Sequence, residues 1–281
     1  MQTTQNQSFD RELVLAKARQ MRHDIIVQTH AAGSGHPGGS LSASDIVATL
    51  YFGGILNLDP AHLDDPLRNR FLLSKGHAAP VLYAALCELG VFERDELETL
   101  RVLGSRLQGH PDTLKLPGVE ASTGSLGQGL SIATGMALGL RASYGKKAPH
   151  VFTLLGDGEL QEGQNWEAAM FAAHQKVGNL VAIVDHNNLQ IDGFCDDVVA
   201  LGDVAAKFVS FGWHSLEVDG HDVDALYQAI TQAQAYVDGP AVVVAHTTKG
   251  KGVSFMENQC SWHGTAPNAE QMTQALDEIL Q

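Results

Sequence analysis

The residues best able to do chemistry here sit at two turns, Gly156-Asp157-Gly158 and Asp185-His186-Asn187-Asn188. Each turn follows a short apolar run, Val151 to Leu155 and Leu180 to Val184. Gly158 lets the backbone approach a ligand closely, and the helix start after it offers unpaired N–H groups to a phosphate. Asp157 adds a hard oxygen ligand. Alone, such a turn is a common way to pass from strand to helix, and an Asn pair alone fits an ordinary turn. Together, at the ends of adjacent strands, they would face one crevice. The Asp157 carboxylate, the Asn187 amide oxygen and the Leu189 carbonyl would give a divalent ion three oxygen ligands. Two diphosphate oxygens and a water complete the octahedron magnesium prefers, and calcium accepts the same set.

The elements that must position these turns follow from hydrophobic spacing. The two apolar runs read as strands buried on both faces. With the helical stretch from about Glu159 to Lys176 between them they form a βαβ unit. A third such run, Ala241 to Ala245, follows a helix over 222–236, and a short one spans Arg70 to Leu73. The fold class expected is α/β, a mostly parallel central sheet flanked by helices. Near-helical spacing predicts a helix from Arg11 to Ala32, and others cover about Leu41 to Phe52 and Pro80 to Leu89. Between the first two, Gly33-Ser34-Gly35-His36-Pro37-Gly38-Gly39 reads as a break, because proline and glycine oppose a helix interior. Ser40 and Ser44 are expected to cap or start the second helix. The C-terminal stretch from Asn268 reads as an amphipathic helix. Residues 1–9 read as a flexible tail and 10–281 as one domain with a helical N-terminal extension.

With 44% hydrophobic and 18% charged residues over 281 positions, the composition is globular. A formal net charge of −14 argues against nucleic acid or anionic lipid as a partner. The same charge makes phosphate binding a puzzle, which a bound divalent metal would answer. Three cysteines without a CxxC pair suit a reducing compartment. There is no apolar stretch of membrane-spanning length and no apolar leader, so a cytoplasmic protein is expected.

Gly156-Asp157-Gly158, Glu162 and Asp185-His186-Asn187 through Ile191-Asp192-Gly193 resemble the thiamine-diphosphate fingerprint of the transketolase family. Five further stretches resemble that family, in family order: Ser34-Gly35-His36-Pro37-Gly38, Ser74-Lys75-Gly76-His77-Ala78, Gly109-His110-Pro111, Thr123 to Gly129, and Lys249-Gly250-Lys251-Gly252 leading to Trp262-His263-Gly264. The resemblance spans about residues 10 to 268. It implies Asp157, Asn187 and the Leu189 carbonyl as metal ligands, and Gly158, His77, Asn187 and His263 as diphosphate contacts with Lys249 nearby. It implies Gly124, Ser125 and Leu126 as backbone contacts to the aminopyrimidine, with Ile191 as an apolar wall. Many relatives have proline where Ser125 stands, which loosens that turn.

The resemblance also implies a reaction, transfer of a two-carbon ketol unit from a ketose phosphate to an aldose. His36, His77, His110 and His263 would ring the thiazolium and the sugar hydroxyls, where imidazole serves both as hydrogen-bond donor and as proton carrier. The other nine histidines read as structural, and acids such as Asp196, Asp197, Asp222 and Asp224 as solvated surface or caps. In the family, a glutamate on a separate pyrimidine-binding domain activates the cofactor, and residues there grip the sugar phosphate. This sequence shows no such domain. The expectation is therefore an A2B2 assembly with a pyrimidine-domain transketolase subunit, with Glu162 signalling across the interface. Competing readings are a relative of 1-deoxyxylulose-5-phosphate synthase, a relative of the 2-oxoacid dehydrogenase α chain, or a module that holds thiamine diphosphate without catalysis.

Overall fold

A computed structural model describes residues 9–281. In chain order the elements are α1 (Arg11–Ala32), α2 (Pro37–Ser42), α3 (Ser44–Phe52), β1 (Arg70–Leu73), α4 (Ala79–Leu89), α5 (Gly129–Tyr144), β2 (Val151–Gly156), α6 (Gly163–His174), β3 (Leu180–His186), α7 (Cys195–Val199), α8 (Val204–Ser210), β4 (His214–Asp219), α9 (Val223–Ala235), β5 (Ala241–His246) and α10 (Ala269–Leu280). The five strands form one sheet in the order β1-β2-β3-β5-β4. All four pairings are parallel, so the sheet is wholly rather than mostly parallel.

The continuous apolar runs make sense because the sheet is covered on both faces. Phe152, Leu154, Val181, Ile183 and Val243 point into a core shared with α1, α3, α4 and α9. Their neighbours Val151, Leu155, Ala182, Val184, Val242 and Val244 point into a second core with α5, α6 and α8. Each fully buried valine or leucine contributes about 1.5–3 kcal/mol, so the central strands β2, β3 and β5 are the stiffest part of the fold. Their carboxyl ends carry the turns singled out above.

Several expectations need correction. Pro37, Gly38 and Gly39 form the first turn of α2 and not a break. Proline at the first helical position loses nothing, since that N–H has no intrahelical partner. Gly38 is needed for packing: a Cβ there would lie 2.7 Å from the Trp262 carbonyl oxygen. The interruption falls instead at Ala43, between α2 and α3. Ser44 does start α3, as expected, but neither serine caps a helix; their hydroxyls donate back to the carbonyls of His36 and Ser40. The helical stretch expected from Glu159 is a short 310 turn, Gly158–Gln161, followed by α6. The tail expected over 1–9 falls outside the described residues except for Phe9, whose ring stacks on Tyr227 at 4.2 Å. The amphipathic α10 is capped by Asn268 and Gln271 in a reciprocal box.

Candidate active site at the strand tips

The carboxyl ends of β2 and β3 border a cavity of about 300 Å³, lined among others by His36, Lys75, His77, Asp157, Asn187 and His263. Gly124, Leu126, Gly158, Leu189, Ile191 and Lys249 complete the part predicted from sequence. This is where ligands of open α/β sheets sit, at the C-terminal ends of the strands.

Asp157 is only 2% exposed. Its carboxylate accepts from the Gly158 N–H at 2.7 Å and from the Asn188 N–H. Burial, and then the nearby Asp185, push its proton affinity above the ordinary carboxylate range. A buried carboxylate with that bias is stabilised as an anion by a cation beside it. Asn187 directs its Nδ2 at Asp185 Oδ2, 3.2 Å away, and its Oδ1 accepts from the Leu189 N–H at 3.1 Å. The Leu189 carbonyl accepts from the Lys249 ammonium at 2.9 Å, so a positive group already lies against the third oxygen. The donor set, one carboxylate, one amide oxygen and one carbonyl, fits a hard divalent ion such as Mg²⁺ or Ca²⁺. Among the described residues no group of three His, Cys, Asp or Glu side chains is placed to hold a metal. A site with a single carboxylate would not form such a group.

Above this floor stand three histidines. The ring centroids of His36, His77 and His263 lie 5.1–5.5 Å apart. Burial, then the charges of Arg101, His110 and Lys249, push His36 down to about 4. Burial and then Lys249 push His263 down to about 3. His77 is also held well below its usual value, by burial and then Lys75. All three imidazoles are therefore neutral near pH 7. Lys249 Nζ lies 2.7 Å from His263 Nδ1. An ammonium donating to Nδ1 leaves the His263 proton on Nε2. Lys249 itself is pushed down to about 8 by burial and then by Lys75, and so is largely an ammonium at pH 7.

Some predicted residues stand outside the cavity. His110 is exposed at its edge, against Gly124, where a Cβ would lie 2.9 Å from His110 Cδ2. Ser125 is exposed and does not line the cavity, while its neighbours Gly124 and Leu126 do. Glu162 is exposed at the start of α6, beside Gly127, and its side chain makes no hydrogen bond among the described residues. Sequence reasoning missed the buried groups beneath the site. Lys75 pairs with Asp185 and donates to the Gly39 carbonyl at 2.7 Å. Glu159 accepts from Ser74 Oγ at 2.5 Å and from the Gly127 and Gly156 N–H groups at 3.0 Å. Neither carried a local sequence signal, because their partners lie far away in the chain. His221, read as structural, links buried Asp45 (2.8 Å) to the Thr248 N–H (2.8 Å), next to Lys249.

A wholly parallel sheet with a buried carboxylate and amide at adjacent strand tips, under a cluster of neutral imidazoles, defines an α/β protein built to hold an anionic cofactor. The family model "Transketolase, thiamine diphosphate binding domain" matches residues 11–279, and the chain belongs to that family. It is 40% identical over 264 residues to one of the subunits of apulose-4-phosphate transketolase from Actinobacillus succinogenes, covering 94% of each chain. It is 40% identical over 247 residues to a 6-deoxy-6-sulfo-D-fructose transketolase subunit of Clostridium sp. (strain MSTE9), covering 88% of this chain and 89% of the relative. The human transketolase is 42% identical over 265 residues, but the chain spans only 41% of its length. Among solved structures, transketolase from Leishmania mexicana superposes with a TM-score of 0.89 at 29% identity, covering 95% of this chain and 41% of that one.

Proposed function

We propose that this chain is the diphosphate-binding subunit of a two-chain transketolase, which moves a two-carbon ketol unit from a ketose phosphate to an aldose. The single observation that carries this is the buried Asp157 carboxylate and Asn187 lining one cavity with neutral His36, His77 and His263. The two-chain reading is supported by relatives of matching length that are themselves named as subunits. The expected partner is a separate pyrimidine-domain subunit, in an A2B2 assembly, with residues 10–281 acting as one diphosphate domain. Among the described residues no helix is long and apolar enough to cross a membrane, and the three cysteines are free. Both suit the cytoplasm.

In this reading Asp157, Asn187 and the Leu189 carbonyl hold the metal. Gly158, His77, His263 and Lys249 meet the diphosphate. Gly124, Ser125 and Leu126 face the aminopyrimidine through their backbone, and Ile191 supplies an apolar wall. When bound, thiamine diphosphate supplies a thiazolium carbon that adds to a ketose carbonyl and accepts the electrons of the broken carbon–carbon bond. The chain's own residues orient and protonate. His263 lines the cavity and carries its proton on Nε2, fixed by Lys249 on its other nitrogen. That donor can meet negative charge developing on a sugar oxygen. His36 and His110 stay neutral and can take or return a proton on the sugar hydroxyls. Glu162, exposed and with its carboxylate unpaired among the described residues, is free to pair across the subunit interface.

The test is reconstitution. The purified chain and a purified pyrimidine-domain subunit, with thiamine diphosphate and Mg²⁺, should together transfer a ketol unit that neither transfers alone. Full activity of this chain by itself would refute the two-chain reading.

A further inference from the structure

Arg101 lacks what most arginines here have. Arg11, Arg22, Arg68, Arg94 and Arg106 each pair with a carboxylate, whereas Arg101 pairs with no acid among the described residues. In a chain of net charge −14, an unneutralised guanidinium beside the cavity is conspicuous. Its Nη2 lies 3.4 Å from His36 Nδ1, at the edge of the cavity. Its Nε packs over Gly109, where a Cβ would come within 3.1 Å, one residue before His110. The guanidinium therefore sits between two of the histidines expected to meet the sugar, with its residue exposed to solvent.

The backbone at this position points the same way. Arg101 has φ 62°, a left-handed conformation that an L-residue with a long side chain rarely adopts. It is pinned there by its N–H donating to the Leu107 carbonyl at 2.9 Å. A glycine would sit in this turn without strain, so folding alone gives no reason for an arginine. Residues kept in unfavourable backbone regions concentrate at ligand-binding positions. A bidentate donor without an acid partner matches the geometry of a phosphate or another compact anion.

We propose that Arg101 is a specificity-determining substrate anchor, taking an anionic group of the sugar substrate at the outer edge of the cavity. The inference rests on the ketol-transfer reading above, and it adds a phosphate contact from this chain to those expected on the partner. It also addresses how an anion approaches a strongly acidic protein, since a local cation at a cleft mouth focuses the field and raises the encounter rate.

The experiment uses the reconstituted two-chain complex with two donors, xylulose 5-phosphate and uncharged erythrulose. Where xylulose 5-phosphate is not turned over, its inhibition constant against erythrulose replaces its KM. For Arg101→Gln, the preference for the charged over the uncharged donor should fall about tenfold, equivalent to about 1.4 kcal/mol, chiefly through KM. Arg101→Lys should retain part of that preference. Arg101→Gly should lose the preference while its Tm stays at or above that of the parent, because the strained φ is relieved. An equal loss with both donors would overturn the proposal and assign Arg101 to positioning His36. An unchanged preference, or a Tm drop in Arg101→Gly that tracks the loss, would overturn it as well. Failure of the unaltered complex to transfer any ketol unit would instead strike the reading of function on which this inference stands.

Discussion

Lys75 and Asp185 form an ion pair buried beneath the cavity, with side chains 2% and 0% exposed. Asp185 also accepts from Ser42 Oγ at 2.6 Å, from Thr247 Oγ1 and from Asn187 Nδ2 at 3.2 Å. Burial would raise its proton affinity, but Lys75 and these donors overcome that and hold it below the ordinary value. The consequence for the site is directional. By engaging the Asn187 amide nitrogen, Asp185 fixes which way round that amide sits, with its oxygen accepting from the Leu189 N–H at 3.1 Å.

Removing one partner of such a pair leaves the other charge buried and unpaired. Asp185→Ala should therefore destabilise the chain by about 3–5 kcal/mol. At this chain length that corresponds to a fall in Tm of about 10 °C, measurable by calorimetry. A loss below about 1 kcal/mol would mean that Lys75 finds another acceptor or leaves the interior.

The depressed histidines link stability to acid. His36 and His263 bind protons in the folded state only near pH 4 and 3, but near pH 6.5 when unfolded. Between those limits the unfolded chain binds more protons, so folding stability rises as pH rises and is lost as pH falls from about 6.5 toward 4. The double substitution His36→Asn with His263→Asn should flatten that slope in urea melts taken from about pH 4 to 7. An unaltered slope would show that these two rings are not what titrates.

Lys249 makes the opposite kind of prediction at alkaline pH. Its ammonium is present below about pH 8 and is lost above it in the free chain. Affinity for the diphosphate of the cofactor should then weaken as pH rises through about 8, with proton uptake on binding. Lys249→Met should weaken binding about tenfold at pH 7 and remove this dependence, as read by titration calorimetry in two buffers of different ionisation enthalpy.

Gly76 sets the height of the loop that leads to Gly124. A Cβ there would lie 2.7 Å from the Thr123 carbonyl carbon and 2.8 Å from the Gly124 nitrogen, so the backbone itself must move. Gly76→Ala should lower cofactor affinity more than about tenfold and reduce Tm by several degrees. Normal affinity would place the aminopyrimidine contact elsewhere.

How legible the fold was depended on burial. The runs at 151–155, 180–184 and 241–245 announced strands because two cores cover them and no charged residue interrupts them. Strand β4 was invisible to the same reasoning. As an edge strand it alternates, with Leu216 and Val218 packed and Glu217 and Asp219 in water, and six such residues resemble a loop. Helix α5 hid behind Gly135 and Gly139, which face open space and lower its helix propensity. In the site, Asp157, Asn187 and the histidines were readable because their turns carry glycine, proline or paired asparagines. Lys75, Asp185 and Glu159 were not, because a charge sequestered by partners far away in sequence leaves no local pattern. Arg101 was missed since a lone arginine reads as surface until its lack of an acid partner among the described residues and its φ are known.

The central claim is that the tips of β2 and β3 present Asp157 and Asn187 to one divalent ion that anchors a diphosphate. The most direct measurement is calorimetric titration of thiamine diphosphate into the reconstituted complex, with and without Mg²⁺, for the parent and for Asp157→Ala. We predict that Mg²⁺ tightens cofactor binding at least about tenfold in the parent and has no effect in the variant. Equal enhancement by Mg²⁺ in both proteins would contradict the account.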